Sequence, residues 1–260
     1  MPDSSQAPAD SASKPANAGR VGLVIPALDE ELALPRVLSE LPGGWIDRVV
    51  VVDNGSRDRT ADVARAAGAE VVHEPRRGYG RACQRGLAEL FSGPEALGPE
   101  DWVAFLDGDH SDYPEDLTAL LTALFEDRAD FVLGSRLANR ESARAMLPQS
   151  RWGTRFACGL MRLFFGVRAS DLGPMRALSR RHLELLEVRD PNFGWTIEMQ
   201  LKAHAAGLRT LEIPVRYRER IGVSKISGTL SGTLRAGYKI LGWIFVFRLR
   251  GDRRAGVSGE

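Results

Sequence analysis

Five short apolar runs, each ending near a polar or charged side chain and followed by a more helical stretch, constrain this chain more than any other feature. The runs are Val21-Gly22-Leu23-Val24-Ile25-Pro26, Arg48-Val49-Val50-Val51-Val52-Asp53, Ala69–His73, Trp102–Leu106 and Phe131–Gly134. Continuous apolar strands of this length suit a sheet covered on both faces. Between them, apolar residues recur at helical spacing over 29–41 (Leu32, Leu34, Val37, Leu38, Leu41), from Thr60 to Ala67, over 79–91, and from Pro114 to Glu126. Strands alternating with helices predict βαβ units and an α/β, Rossmann-like, mostly parallel central sheet flanked by helices. In such sheets ligands bind beyond the carboxyl ends of the strands. Polar groups collect there: Asp29 and Glu30, Asp53, Arg76 to Arg81, and Asp107 with Asp109.

Later in the chain the pattern loosens. An amphipathic helix is expected over 151–167, with Phe156, Leu160, Leu163 and Phe164 on one side. A further helix is expected over 195–206 and a strand over Leu211–Tyr217. Residues 1–19 carry almost no large apolar side chain and cannot offset the entropy of ordering, so they read as a disordered tail. The block Ile240–Phe247 is too short to span a bilayer. With Arg235, Lys239, Arg248, Arg250, Arg253 and Arg254 around Trp243, Phe245 and Phe247, it reads as C-terminal amphipathic helices. These would lie on an anionic membrane surface or dock on protein. The expected organisation is a tail over 1–19, a catalytic domain over 20–225 and a basic helical segment over 226–260.

The formal net charge is +1, which at first sight argues against a general nucleic-acid-coating role. That neutrality conceals a division. Residues 1–201 hold 23 basic against 30 acidic side chains, and residues 202–260 hold 12 against 4. The two ends are therefore expected to face different partners. Cys83 and Cys158 are too few for a disulfide framework or a zinc cluster and read as small buried hydrophobes. The first twenty residues lack an apolar core, so no secretory leader is expected. A cytoplasmic protein, peripheral on the membrane face, fits these features.

The strongest chemical element is Phe105-Leu106-Asp107-Gly108-Asp109. Two carboxylates this close repel unless a cation lies between them. Mg²⁺ or Mn²⁺ prefers carboxylate and phosphate oxygens and can bridge a diphosphate. On its own the pattern is also an ordinary Asp-Gly turn. It is preceded, in order, by Val24-Ile25-Pro26-Ala27-Leu28-Asp29-Glu30-Glu31, by Val51-Val52-Asp53-Asn54-Gly55-Ser56-Arg57-Asp58-Arg59-Thr60, and by Arg77-Gly78-Tyr79-Gly80-Arg81-Ala82, and followed by Pro114-Glu115-Asp116-Leu117.

The order and spacing of these motifs closely resemble the family 2 glycosyltransferases with the GT-A fold. Over about residues 21–240 the chain looks like their dolichyl- or polyprenyl-phosphate sugar synthase branch. The resemblance implies an inverting, metal-dependent transfer from a GDP- or UDP-linked sugar to a polyprenyl phosphate. It implies that Pro26, Ala27, Leu28 and Glu30 cradle base and ribose, that Asp53 holds base or ribose, and that Asp107, Gly108 and Asp109 meet metal and diphosphate. Ser111 stands where the branch often carries glutamine as a further metal ligand, with His110 and Asp112 as nearby substitutes. Gly80, in the Gly-Tyr-Gly turn, would either approach phosphate directly or serve close packing.

In the second half, Gly134-Ser135-Arg136 resembles the family's G-S-R motif, whose arginine faces the diphosphate, with Arg151 as a second anion contact. Asp171-Leu172-Gly173-Pro174-Met175-Arg176 resembles the acceptor-side segment. Tyr217 through Lys225 resembles the basic segment in which Arg218, Arg220 and Lys225 would hold the acceptor phosphate. A phosphate acceptor needs no general base. A hydroxyl acceptor would need one, and Glu198, then Asp171, is the expected base, while Glu198 reads equally as a structural carboxylate paired with a nearby arginine. Two further alternatives remain: a silent nucleotide-sugar-binding subunit that recruits a membrane protein, and association with a second copy. A nucleotidyltransferase would carry a glycine- and lysine/arginine-rich loop after the first strand, where this chain has Pro-Ala-Leu-Asp-Glu.

Overall fold

A computed structural model describes residues 13–222, with position 242 alone beyond them. Lys225 and the expected segment over 226–260 lie outside the described residues, apart from that one position. The strands are β1 (Val21–Ala27), β2 (Arg48–Asp53), β3 (Glu70–His73), β4 (Trp102–Phe105), β5 (Phe131–Ser135), β6 (Arg176–Ser179) and β7 (Thr210–Pro214). The helices are α1 (Leu34–Ser39), α2 (Thr60–Ala66), α3 (Tyr79–Leu90), α4 (Leu117–Phe125), α5 (Arg140–Ala145), α6 (Pro148–Phe165), α7 (Arg180–Leu186) and α8 (Trp195–Ala205), with a 3-10 turn at Pro114–Asp116 before α4.

All seven strands form one sheet in the order β3-β2-β1-β4-β6-β5-β7. Every neighbouring pair is parallel except those of β6, which runs against both β4 and β5. Side chains alternate between two cores. Leu23, Ile25, Val51, Ala104 and Val132 point into one, filled from outside by residues of α1, α2 and α4. Val24, Val50, Val52, Val103, Phe105 and Phe131 point into the other, filled by α3, α7 and α8. Burial on both faces is why these strands read as unbroken apolar runs. Pro26 is tolerated inside β1 because pairing with β4 ends at Val24, leaving Pro26 with β2 as its only strand neighbour.

The first five strands fall within one or two residues of their expected bounds. The helix expected over 29–41 contracts to Leu34–Ser39. Asp29 takes a left-handed φ of 52°, and the backbone N–H groups of Asp29, Glu30 and Glu31 donate to the side chains of Ser56, Thr60 and Asp58 rather than to a helix. The late strand is also shorter than expected, ending at Pro214. The tail expected over 1–19 is tied to the body at its end. Trp102 Nε1 donates to Ala18 O at 2.6 Å, and Lys14 pairs with Asp47. Cys83 and Cys158 are buried free thiols. Among the described residues no helix is long and apolar enough to cross a membrane.

Candidate active site

The carboxyl ends of β1, β2 and β4 open onto two adjoining cavities. The smaller, of about 310 Å³, is lined by Pro26 and Ala27 at the end of β1, Leu28 and Glu30 after it, Asn54 after β2, and Asp107 to Asp109 after β4. The larger, of about 820 Å³, carries Arg136, Arg144 and Arg220 beside Met146, Leu147, Leu172 and Pro174. Tyr79, Asp107, Asp109, Phe193 and Arg220 belong to both walls. The two aspartates thus stand where the cavities meet.

Each aspartate has a distinct environment. Asp107 Oδ1 is buried without a hydrogen-bond partner among the described residues. Burial, then the charge of Asp109, pushes its carboxyl up to about 7. The Tyr79 hydroxyl donates to it, held protonated well above the usual phenol range by burial and by that same carboxylate. Asp109 is paired with Arg220 at 3.0 Å, and the same guanidinium reaches Glu30 at 3.2 Å. A crowded carboxylate pair with an orphaned oxygen, neutralised in part by an arginine, suits a hard divalent cation with oxygen ligands. Among the described residues no third His, Cys, Asp or Glu converges on it. Substrate oxygens or water can complete the coordination of such an ion. Ser111 lines the larger cavity and donates its N–H to Asp109 Oδ1 at 2.9 Å. Neither substitute ligand reaches a cavity. His110 turns to Glu40, 2.8 Å from its Nε2. Asp112 is buried with neither oxygen partnered among the described residues, and burial raises its carboxyl well above the usual range.

Asp53 closes the turn after β2 and does not line either cavity. It accepts from Ser56 N at 2.9 Å and lies 3.1 Å from His73 Nδ1. Burial opposes its ionisation, but these hydrogen bonds hold it below the usual carboxylate range. Its neighbour Asn54 reaches the smaller cavity. The Asn54 amide donates to Glu74 O and Arg76 O, and its oxygen accepts from Gly78 N, so one side chain ties together the loops after β2 and β3.

Gly80 serves packing rather than the direct approach to phosphate. A Cβ there would meet Asp190 O at 1.9 Å, and one at Gly78 would meet Pro191 O at 2.2 Å. Arg81 N donates to Pro191 O at 3.1 Å. This backbone-to-backbone contact seats the segment 190–194, from which Asn192 lines the smaller cavity and Phe193 both.

Several expected roles are corrected by geometry. Asp171 is buried, and both its oxygens are taken up by Arg136, from Nε and Nη2 at 2.9 Å each. A carboxylate so committed is not available as a base. Arg136 reaches the larger cavity, but its fork is occupied by Asp171 and its face lies over Tyr217. Glu198 does not reach a cavity. It is buried in α8, accepts from Arg189 N at 2.9 Å and Asp190 N at 2.6 Å, and pairs with Lys202 at 2.7 Å. Arg151 donates to Ala143 O and lines neither cavity. Arg218 stacks on Tyr113, donates to His110 O and pairs with Glu40, away from both cavities. Of the described basic residues expected to clamp an acceptor, Arg220 alone lies on the shared wall, and it contacts the donor-side carboxylates.

Asn54, Tyr79 and Tyr217 sit inside motifs whose other members were the expected contacts. Phe193 lies in no such motif, and the packing of the segment 190–194 on Gly78 and Gly80 brings it to the site.

The fold and the chemistry of this cleft can be set beside known proteins. An uncharacterized glycosyltransferase of Mycobacterium tuberculosis is 39% identical over 218 residues, covering 83% of this chain and 94% of its own. The undecaprenyl-phosphate mannosyltransferase of Micrococcus luteus is 31% identical, covering 90% of this chain and 98% of its own. The dolichyl-phosphate hexose transferase of Haloferax volcanii is 28% identical, covering 82% and 89%. Among solved structures, glucosyl-3-phosphoglycerate synthase of Mycobacterium tuberculosis, in complex with Mn²⁺, uridine diphosphate and phosphoglyceric acid, superposes with a TM-score of 0.69 at 20% identity. It covers 93% of this chain and 80% of its own, a likeness of fold. The model of glycosyl transferase family 2 matches residues 23–186, and the chain belongs to that family.

Proposed function

We propose that this glycosyltransferase moves a sugar, with inversion, from a nucleoside-diphosphate sugar to a polyprenyl phosphate. The observation that carries the reading is the meeting of two chemically different cavities at Asp107 and Asp109. The smaller takes the nucleoside diphosphate between the loop after β1 and Asn54. The larger offers cationic side chains for a phosphate beside an apolar wall for the first isoprene units. The dolichyl-phosphate hexose transferase and the undecaprenyl-phosphate mannosyltransferase among its relatives support the same acceptor class.

Asp107 and Asp109 would hold Mg²⁺ or Mn²⁺, which supplies positive charge for the departing diphosphate. The neighbouring fold is crystallised with Mn²⁺ and uridine diphosphate. Arg220 stands on the shared wall and adds a fixed cation on the same side. Tyr79 orients Asp107 through its hydroxyl. The acceptor phosphate oxygen is ionised at neutral pH. It attacks the anomeric carbon as the bond to the diphosphate oxygen breaks, and that electron pair leaves with the nucleoside diphosphate. No proton needs removal, which accords with Asp171 and Glu198 both being engaged elsewhere. Holding two anionic substrates in line supplies the remainder of the acceleration.

A hydroxyl acceptor is the second reading. Glu219 on the wall of the larger cavity favours it, because such an acceptor needs a carboxylate base. One experiment separates the two. The full chain is assayed with Mn²⁺ or Mg²⁺ and a panel of UDP- and GDP-sugars, with polyprenyl phosphate and hydroxyl acceptors in parallel. Turnover with polyprenyl phosphate is expected. Turnover with hydroxyl acceptors alone overturns the first reading.

A further inference from the structure

The face of α6 turned to solvent is apolar where a helix on a soluble body is ordinarily polar. Trp152, Phe156 and Leu163 are 68%, 60% and 74% exposed. Of the four apolar residues expected on one side of this helix, the structure splits two from two. Leu160 and Phe164 are half-buried and pack with Ala157, Cys158 and Met161 on the inward side, where Met161 is set against Ile197 and Leu201, whereas Phe156 and Leu163 face solvent. At 3.6 residues per turn, Trp152, Phe156 and Leu163 fall within a wedge of about 40°, with Arg155 and Arg162 along one edge.

Charge says what covers this stripe. Residues 148–170 contain Arg151, Arg155, Arg162 and Arg168 and no Asp or Glu. Among the described residues none of these arginines is paired with a carboxylate. The chain beyond residue 222 holds seven basic side chains against two acidic ones, so it has the wrong sign to neutralise the stripe. A second copy presenting the same face would set arginine against arginine. An apolar wedge of tryptophan, phenylalanine and leucine edged by arginines matches an anionic lipid surface. The start of the same helix borders the larger cavity through Pro148, Ser150 and Thr154.

We propose that α6 is the membrane-docking element of this protein, seated on anionic lipid by Trp152, Phe156 and Leu163 with Arg155 and Arg162 at the headgroups. The inference rests on the polyprenyl-phosphate reading for its purpose, since it brings the larger cavity beside the lipid that would carry the acceptor. Its test does not require turnover. The full chain is mixed with phosphatidylcholine vesicles with and without phosphatidylglycerol, and bound protein is measured by flotation. The protein is expected to bind the phosphatidylglycerol vesicles. Replacing Trp152, Phe156 and Leu163 together by serine is expected to lower that binding about tenfold. Arg155→Gln with Arg162→Gln is expected to remove the preference for the anionic vesicles. Both variants alter exposed side chains, and thermal unfolding with turnover on a short-chain, water-soluble polyprenyl phosphate checks that each is folded.

Unchanged vesicle binding by the serine variant overturns the proposal, because the basic C-terminal segment would then suffice. Failure of the unaltered protein to bind vesicles, with a dimer that the serine variant loses, overturns it in favour of a protein interface. Vesicle binding lost by the serine variant, with no turnover on any polyprenyl phosphate by the unaltered protein, upholds the docking surface and defeats the acceptor reading alone.

Discussion

Arg136 and Asp171 form a two-pronged ion pair beneath the larger cavity, with both prongs at 2.9 Å and the Arg136 backbone N–H donating to the same carboxylate at 2.8 Å. The pair joins the end of β5 to the segment leading into β6, the one reversed strand. Burial opposes the ionisation of Asp171, but the charge and hydrogen bonds of Arg136 hold its carboxyl below the usual range. The stability it contributes is therefore present above the unfolded carboxyl pKa of about 3.9 and is lost as pH falls through the lower folded value. Asp171→Asn strands a buried guanidinium and is expected to cost about 3 kcal/mol at neutral pH. Urea midpoints measured from pH 7 down to pH 3 should show the gap between the two proteins narrowing only below about pH 4. A gap that is constant over the whole range would mean that the pair contributes nothing through charge.

The close approach of Gly80 to Asp190 O leaves no room for a side chain. Gly80→Ala is expected to displace the segment carrying Asn192 and Phe193, raising the donor KM about tenfold and costing about 1–3 kcal/mol. Gly153, on α6, has nothing within 4 Å of the same added atom. Gly153→Ala should be neutral or stabilise by up to about 1 kcal/mol, through helix propensity. Donor kinetics together with thermal unfolding distinguish the two. A Gly80→Ala protein with native donor kinetics would show that the segment yields without consequence.

The parallel part of the fold was readable because its signal is local. A strand buried on both faces, such as Val49 to Val52, needs only its own residues to be recognised. The reversed strand was not readable. Arg176-Ala177-Leu178-Ser179 is four residues long and opens on a charged residue that is nonetheless buried, donating to Gly173 O and Thr196 O. The short α5 and α7 lack enough turns to show a period. At the site, motif positions located Asp107, Asp109 and the loop after β1. Motif position does not show which partner takes up a side chain. Asp171 and Arg218 meet Arg136 and Glu40 from far along the chain, and Glu198 turns to the backbone of Arg189 and Asp190 and to Lys202 close by, pairings that no local pattern reveals.

Glu198 distinguishes an anchor from a base. Its oxygens hold the backbone of Arg189 and Asp190, and Asp190 in turn accepts from Asn192 N and Gly194 N at 2.7 and 3.0 Å. Glu198→Gln keeps an acceptor for those N–H groups but removes the charge facing Lys202. A loss of about 2 kcal/mol in stability is expected, with kcat falling less than roughly tenfold and the pH–rate profile keeping its shape. A general base in this position would instead cost about 10²-fold or more in kcat. A profile whose limb disappears in Glu198→Gln would return the residue to catalysis.

Asp109 is the sharpest test of the cleft, because it is paired with Arg220 in the structure and would hold a cation during turnover. Asp109→Ala and Asp109→Asn are both expected to retain the fold and to lower transfer by about 10²- to 10³-fold. Asp109→Asn keeps the side-chain shape, so its loss reports on charge. A chelator should stop turnover by the unaltered protein, and Mn²⁺ should restore it. In Asp109→Asn the Mn²⁺ concentration needed for half-maximal turnover should rise. Arg220→Ala removes the resident cation but leaves both carboxylates. It is expected to lower kcat without raising the Mn²⁺ requirement, since Arg220 would no longer compete for Asp109. Normal turnover by Asp109→Ala, measured with Mn²⁺ present, would remove Asp109 from the chemistry and with it the carboxylate pair as the cation site.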